Sequence, residues 1–128
     1  MVAIPEYLGK IPRPFIPRSL TSSGEPMHPM LNIAVRAARN AGQVVVKAFS
    51  QPENIEAIQK GSHDFVTNVD REAEAAIIHT IKKSYPEHSI VAEESGEIAG
   101  TNPDYQWIID PLDGTTNLVK GIPHFAVS

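Results

Sequence analysis

The sequence predicts an α+β fold in which two helices pack on a partial sheet. Two segments, one from Pro29 and one after Thr67, repeat apolar residues at three- and four-residue steps, which places those residues on one helix face. Two short apolar runs, ending near Ala92 and Asp110, are typical of buried strands. Their alternation with the helices predicts one layered domain.

The composition is that of a modest globular domain: 128 residues, 41% of them apolar, with a net charge of -4. No apolar run approaches a membrane span, and the acidic balance argues against direct nucleic-acid binding. The absence of cysteine excludes disulfides and thiolate metal sites, and is compatible with a reducing, cytoplasmic location. Any metal site must therefore use oxygen or histidine donors, which favours Mg²⁺, Ca²⁺ or Mn²⁺.

Residues 1–26 are predicted to form a disordered, proline-rich arm. They hold five of the eleven prolines, and this density opposes both helix and central strand. Met27 follows directly, so it is either the natural start of the protein or the end of a genuine arm. We therefore expect an arm over residues 1–26 and a partial domain over residues 27–128.

The first helix is predicted to begin at Pro29 and to end before Pro52, since the residue before a proline avoids the helical region. Thr67 and Asp70 have the spacing of a capping box that begins the second helix. The remaining elements are a loosely alternating strand at residues 55–59, a connecting loop at 96–105, a short helix at 116–119 and a strand from 125.

The polar residues of greatest interest follow the second strand. Asp110 and Asp113 could be brought to one side by a tight turn, where a divalent cation would relieve their repulsion. If a helix begins at Gly114 and Thr115, its free N–H groups would face a phosphate. The order Pro-Leu-Asp-Gly is also good β-turn chemistry, so a plain surface turn remains the alternative.

Other residues could complete a site with these carboxylates. Glu93 follows the first strand, and carboxylates at the ends of neighbouring strands can meet at one sheet edge, although an acidic surface loop is the alternative. The Thr115 hydroxyl could orient a water as well as cap its helix. Asp70 could simply cap its own helix, or it could hold a metal-bound water or the Thr115 hydroxyl from across the site. Lys60 could reach a phosphate or remain a solvated loop residue, while the five histidines lack ligand spacing.

Three motifs together resemble the inositol monophosphatase family of lithium-sensitive, magnesium-dependent phosphatases. They are W-I-I-D-P-L-D-G-T-T-N at 107–117, D-F-V-T-N-V-D at 64–70 and E-E-S at 93–95, in the family's order and approximate spacing. Residues 27–128 are particularly similar to its bacterial SuhB-type branch. The resemblance implies the metal-binding N-terminal half of the layered α/β/α/β/α sugar-phosphatase fold, which fructose-1,6-bisphosphatase shares.

The resemblance also implies roles for particular residues. Glu93, Asp110 and the Leu112 carbonyl would bind a first Mg²⁺, and Asp110 and Asp113 would help bind a second. Thr115 and Asp70 would orient the attacking water. Glu93 and Asp70 would support a third, weaker metal through water, so Glu93 is counted among the catalytic residues. The substrate would be held by contacts shared among four residues: Gly114, Thr115, Asp113 and Lys60.

The implied reaction is hydrolysis of inositol monophosphate to inositol and phosphate by a metal-activated water, without a phospho-enzyme. Lithium would inhibit by competing at a magnesium site. Family members are much longer and commonly dimerise, and their second half supplies another aspartate and the rest of the sheet. We therefore expect this chain to be truncated, to fold poorly alone and to be inactive or nearly so.

Three alternatives remain. Aspartyl-phosphate phosphatases use Asp-x-Asp-Gly-Thr, but the spacing here is one residue longer, which turns the second carboxylate of an extended strand to the other face. A phosphatase of the same superfamily could act on a sugar or nucleotide bisphosphate. A non-catalytic fragment could contact the transcription machinery, as some bacterial members do. The expected partner is otherwise a small-molecule phosphate monoester, with no membrane.

Overall fold

The computed structural model describes residues 2–3, 28–62 and 64–128. The predicted arm therefore lies outside the described residues except for Val2–Ala3, which form strand β1 and pair antiparallel with the last strand of the chain. No helix in the described ranges is long and apolar enough to cross a membrane.

Helix α1 spans Pro29–Ser50, as the apolar spacing predicts. Its start is favoured by Pro29, whose fixed backbone torsion suits the first turn, and by the His28 ring, which accepts a 3.1 Å hydrogen bond from the Met30 N–H. The buried stripe recurs every four residues and consists of Ile33, Ala37, Ala41 and Val45. A short 3₁₀ turn at Pro52–Asn54 follows the helix.

Strands β2 (Ala57–Gln59) and β3 (Phe65–Thr67) form an antiparallel hairpin that leads into helix α2 (Asn68–Ser84). The capping box that begins α2 is confirmed. Thr67 Oγ1 accepts from the backbone N–H of Asp70, and the Asp70 carboxylate accepts from the Thr67 N–H at 2.8 Å. The box brings the Asp70 side chain back over the start of its own helix.

Strands β4 (His88–Ala92), β5 (Gly96–Ile98) and β6 (Asn102–Ile109) form one sheet in the order β5-β4-β6. The prediction of a loop at residues 96–105 is wrong, because residues 96–98 belong to β5 and residues 102–105 to β6. Gly96 has a φ of +74°, which allows the sharp reversal from β4 into β5. A hydrogen bond from Gly100 N–H to Ser89 Oγ at 3.0 Å then holds the connection against β4.

The pairing of β4 with β6 is parallel, and its register is supported by side chains. Ile90 lies opposite Trp107, and Ala92 lies opposite Ile109. The Trp107 indole N–H donates a 3.0 Å hydrogen bond to the buried His88 ring. This contact opposes a slip of β6 along β4, which would displace every residue that follows β6.

The last elements are helix α3 (Thr115–Val119) and strand β7 (Ala126–Val127), both close to their predicted positions. Helices α1 and α2 pack against each other, and the Asn40 side-chain amide donates to Thr80 Oγ1 between them at 3.1 Å. The described residues share one apolar core, to which α3 and β7 contribute Leu118 and Val127. Ile108, in contrast, is 79% exposed on the opposite face of the sheet.

Candidate active site

Glu93 and Asp110 meet where two parallel strands end. Because Ala92 pairs with Ile109, the next residue of each strand lies at the same edge of the sheet. The Glu93 N–H donates to the Ile109 carbonyl at 3.2 Å, and the two carboxyl groups lie close enough to interact with each other. The predicted convergence of these carboxylates at one sheet edge therefore occurs in the structure.

The closeness of the two carboxyl groups alters the acidity of one of them. Desolvation by the surrounding protein, the hydrogen bond with Asp110 and the negative charges of Asp110, Glu94 and Asp70 raise the pKa of Glu93 to about 7. The Glu93 side chain nevertheless keeps part of its surface in contact with solvent. A nearby cation would reverse this effect by favouring the charged form.

The turn after Asp110 is fixed by backbone hydrogen bonds. Asp110 exchanges both of its backbone bonds with Ser128, at 2.8 and 2.9 Å, and Asp113 does the same with Ala126. The Asp110 carboxylate also accepts from the Leu112 N–H at 3.2 Å. The Asp113 side chain is exposed, and it forms no three-carboxylate cluster with the pair described above in the part of the chain that the structure describes.

Thr115 and Asp70 are joined across the site. The Thr115 hydroxyl lies 2.8 Å from Asp70 Oδ1 and 3.2 Å from the Leu112 carbonyl, and the shorter distance favours donation to Asp70. Asp70 is only 2% exposed, and its other oxygen accepts from the Thr67 hydroxyl at 2.5 Å. In the structure Asp70 is therefore both a cap of its own helix and the partner of the Thr115 hydroxyl.

Gly114 makes the close approach between the turn and β7 possible. Its φ is +95°, in the left-handed region that favours glycine. A Cβ atom there would lie 2.7 Å from the His124 carbonyl oxygen, which is shorter than any normal contact. The residue immediately precedes α3 and places the N–H groups of Gly114 and Thr115 at the start of that short helix.

Lys60 is placed beside the site rather than within the carboxylate pair. Its ammonium group lies 3.7 Å from the Glu94 carboxylate, and its side chain is about half exposed. Its backbone N–H donates to the Asp64 carbonyl at 2.7 Å, which closes the hairpin between β2 and β3. Lys60 can therefore contribute a mobile positive charge at the edge of the site.

The described residues contain no cluster of three or more histidine, aspartate or glutamate side chains close enough to hold a metal ion. They do contain one close carboxylate pair, Glu93 and Asp110, and the Leu112 carbonyl in the same turn as Asp110. Oxygen donors of this kind suit a hard divalent cation, and the mutual repulsion of the pair is what such a cation relieves. The donor set therefore fits Mg²⁺ in part.

One residue of the site was missed by sequence reasoning. Glu74 is buried on α2, where its carboxylate accepts hydrogen bonds from the backbone N–H groups of Glu94 and Ser95, both at 2.8 Å. The signal was a glutamate directly beside Ala73 on the apolar face of a predicted helix. A charged residue at such a position needs partners from another element.

A model of the inositol monophosphatase family matches residues 26–128. The chain belongs to this family. Over 102 residues it is 68% identical to the Nus factor SuhB of Escherichia coli K12, an alignment that covers 80% of this chain and 38% of that protein. The chain thus spans well under half of the length of this relative.

Solved structures of the family share the fold. The extragenic suppressor protein SuhB of Bartonella henselae superposes with a TM-score of 0.75 and 40% identity, covering 78% of this chain and 39% of that one. An IMPase/NADP phosphatase complexed with Mg²⁺ and phosphate is 32% identical, with a TM-score of 0.50, and covers 61% of this chain and 30% of its own. The observed elements are therefore a mixed helix-and-sheet part of the inositol monophosphatase fold.

Proposed function

We propose that the protein supplies the metal-binding and water-orienting part of a Mg²⁺-dependent, lithium-sensitive phosphatase that converts inositol monophosphate to inositol and phosphate. The observation that carries the proposal is the convergence of Glu93 with Asp110 at one sheet edge, beside the Thr115–Asp70 pair. Family membership supports the phosphatase class. Because the chain spans 38% of its E. coli relative, the activity is proposed for the complete catalytic unit.

The metal ligands in this proposal are the oxygen donors of the sheet edge. Glu93, Asp110 and the Leu112 carbonyl would hold one Mg²⁺, and Asp110 with Asp113 would help to hold a second. When bound, Mg²⁺ supplies Lewis-acid activation of water and neutralises charge on the phosphate. The IMPase/NADP phosphatase neighbour is complexed with Mg²⁺ and phosphate, which supports this choice of ion.

Thr115 and Asp70 are proposed to handle the proton of the attacking water. Since the Thr115 hydroxyl directs its hydrogen toward Asp70 Oδ1, its oxygen lone pairs stay free to accept a hydrogen bond from water. A proton can then pass from the water to Thr115 Oγ1 while the Thr115 hydrogen passes to Asp70. The Thr67 contacts hold Asp70 in place during this transfer.

Binding of the substrate phosphate is proposed to use the N–H groups of Gly114 and Thr115, with Asp113 and Lys60 at the edge of the pocket. The Lys60 charge is now balanced by Glu94, 3.7 Å away, and can turn toward a phosphate at small cost because it is exposed. A cytoplasmic location is also proposed, in keeping with the absence of cysteine. A homodimer is proposed because members of the family commonly dimerise.

The test is a chimera in which residues 27–128 are joined to the remaining C-terminal part of the E. coli relative. We expect Mg²⁺-dependent release of phosphate from inositol 1-phosphate, with inhibition by Li⁺. Asp110→Asn should reduce the rate on the order of 100-fold or more, because it removes a metal-binding charge. Asp104→Asn, at an exposed carboxylate of the same strand, is the matched control and should have no effect.

Two results would argue against this function. Equal rates for the Asp110→Asn and Asp104→Asn chimeras would show that the sheet edge is not the active site. Faster turnover of fructose 1,6-bisphosphate or a nucleotide bisphosphate would instead favour the related substrate classes of the superfamily.

A second candidate function is contact with the transcription machinery, which is favoured by the name Nus factor for a relative that is 68% identical. We expect the 128-residue chain to bind purified bacterial transcription elongation complexes. Asp110→Asn should leave that binding unchanged, because protein contact does not need the metal site. Absence of binding by the chain and by the chimera would remove this candidate.

A further inference from the structure

Glu74 is a charged residue in a buried position, with only 1% of its surface exposed. One carboxylate oxygen accepts from the Glu94 N–H at 2.8 Å. The other accepts from the Ser95 N–H at 2.8 Å and also from the Ser95 hydroxyl. Three donors, all from a turn about twenty residues further along the chain, therefore satisfy a carboxylate that would otherwise be costly to bury.

This turn, residues 93–95, directly follows β4, and its two glutamates interact with different partners. The Glu93 carboxyl interacts with that of Asp110, whereas the Glu94 carboxylate lies 3.7 Å from the Lys60 ammonium group. Glu74 binds the backbone N–H groups immediately after Glu93, so its contacts limit how the turn can rotate. Rotation of these peptides would move Glu93 away from Asp110.

We propose that Glu74 is a positioning residue, which acts from α2 to hold turn 93–95 so that Glu93 stays beside Asp110 and can share a cation with it. The inference rests on the proposed function, since it assigns Glu74 to the same metal site. Residues that orient ligands in this way commonly change metal affinity by about 10- to 100-fold when they are replaced.

Glu74→Gln is the informative variant because it keeps the size of the side chain and removes acceptor capacity. A glutamine amide has one oxygen and one NH₂ group, so one of the two backbone N–H groups would face another donor. Glu72→Gln is the matched control, since Glu72 lies on the exposed side of the same helix and undergoes the same loss of charge.

The first measurement is hydrogen exchange of individual backbone amides by NMR in the 128-residue chain without metal. We expect the Glu94 and Ser95 amides to be protected, and to exchange about tenfold faster in Glu74→Gln but not in Glu72→Gln, with unchanged protection of the core amides of α2. Unprotected Glu94 and Ser95 amides in the unsubstituted chain would overturn the positioning role.

The second measurement is Mn²⁺ binding by electron paramagnetic resonance, with Mg²⁺ as competitor. We expect Glu74→Gln to bind Mn²⁺ about tenfold more weakly than the unsubstituted chain, and Glu72→Gln to bind it equally well. A purely structural role would lower the folded fraction without altering the Mn²⁺ affinity of folded molecules. Unchanged affinity in Glu74→Gln would therefore overturn the proposal.

A gentler variant covers the case in which Glu74→Gln does not fold. Ser95→Ala removes only the hydroxyl donor to Glu74 at an exposed residue, and should weaken Mn²⁺ binding a few-fold. Equal binding by Ser95→Ala would then count against the proposal. If the amides of Glu94 and Ser95 are protected but neither the unsubstituted chain nor the chimera binds Mn²⁺, the metal site of the proposed function is overturned, and the positioning role with it.

Discussion

The Thr115 hydroxyl donates to Asp70 Oδ1 at 2.8 Å, and this bond joins two residues that lie 45 positions apart in the sequence. The other oxygen of Asp70 accepts from the Thr67 N–H and hydroxyl, at 2.8 and 2.5 Å. A local cap of α2 thus also anchors the hydroxyl at the start of α3. Because one Asp70 oxygen contacts Thr115 in the site and the other caps α2, replacing Thr115 should affect activity and replacing Thr67 should affect stability.

Thr115→Ala in the chimera should lower kcat for inositol 1-phosphate by roughly 10²- to 10⁴-fold, the usual contribution of positioned proton transfer. Thr115→Ser keeps the hydroxyl and should retain most of the activity. Steady-state phosphate release measures both variants. An active Thr115→Ala chimera would show that the Thr115–Asp70 bond serves only to hold the two elements together.

Thr67→Ala should lower the free energy of unfolding by about 0.5–2 kcal/mol, because α2 loses its N-cap acceptor. The loss also leaves buried Asp70 without one of its donors. Urea unfolding of the 128-residue chain provides the measurement, and exposed Thr101→Ala serves as the control, with an expected change within about 0.5 kcal/mol. Equal effects of the two variants would contradict the importance of the cap.

Gly114→Ala should destabilise the chain more than Gly121→Ala. Both glycines have positive φ, +95° and +69°, so both replacements cost about 1–2 kcal/mol from the left-handed backbone alone. At Gly121 a Cβ atom meets nothing within 4 Å, whereas at Gly114 it meets the His124 carbonyl oxygen at 2.7 Å. Similar urea midpoints for the two variants would show that the approach of β7 is not tight.

Magnesium should stabilise the chain against unfolding, because a cation relieves the repulsion between Glu93 and Asp110 in the folded state only. At a free Mg²⁺ concentration about 100 times the dissociation constant, the expected gain is about 2.7 kcal/mol. Chelation with EDTA should remove it, and Asp110→Asn should abolish it. Stabilisation of equal size in Asp110→Asn would place the cation elsewhere.

Several features were predictable from sequence because their causes are local or repeat regularly. The Thr67–Asp70 cap depends on a three-residue spacing, and the two long helices depend on apolar periodicity. The meeting of Glu93 and Asp110 followed from a rule about strand ends, which needed only that both strands be parallel neighbours.

Other features depended on contacts between distant parts of the chain. The strand pairing within residues 96–105 arises from the partner β4, since β5 alone is three residues long and carries no strong strand pattern. The partners of Glu74 are backbone N–H groups of a turn. Because almost every residue type has such a group, the sequence does not show which ones Glu74 contacts. The pairing of Lys60 with Glu94 was likewise not predictable, because the two residues lie far apart in the sequence.

The parallel register of β4 and β6 divides the chain into segments that tolerate changes in length and segments that do not. The distance between Glu93 and Asp110 is set by the pairing of Ala92 with Ile109. Strand β5 lies on the other side of β4 and takes no part in that pairing. An insertion at exposed Ala99 would therefore leave that pairing in register, provided that Gly100 keeps its hydrogen bond to Ser89 Oγ. A single residue inserted between Gln106 and Ile109, where β6 pairs regularly with β4, would instead shift Asp110 by about 3.3 Å and separate the carboxylates.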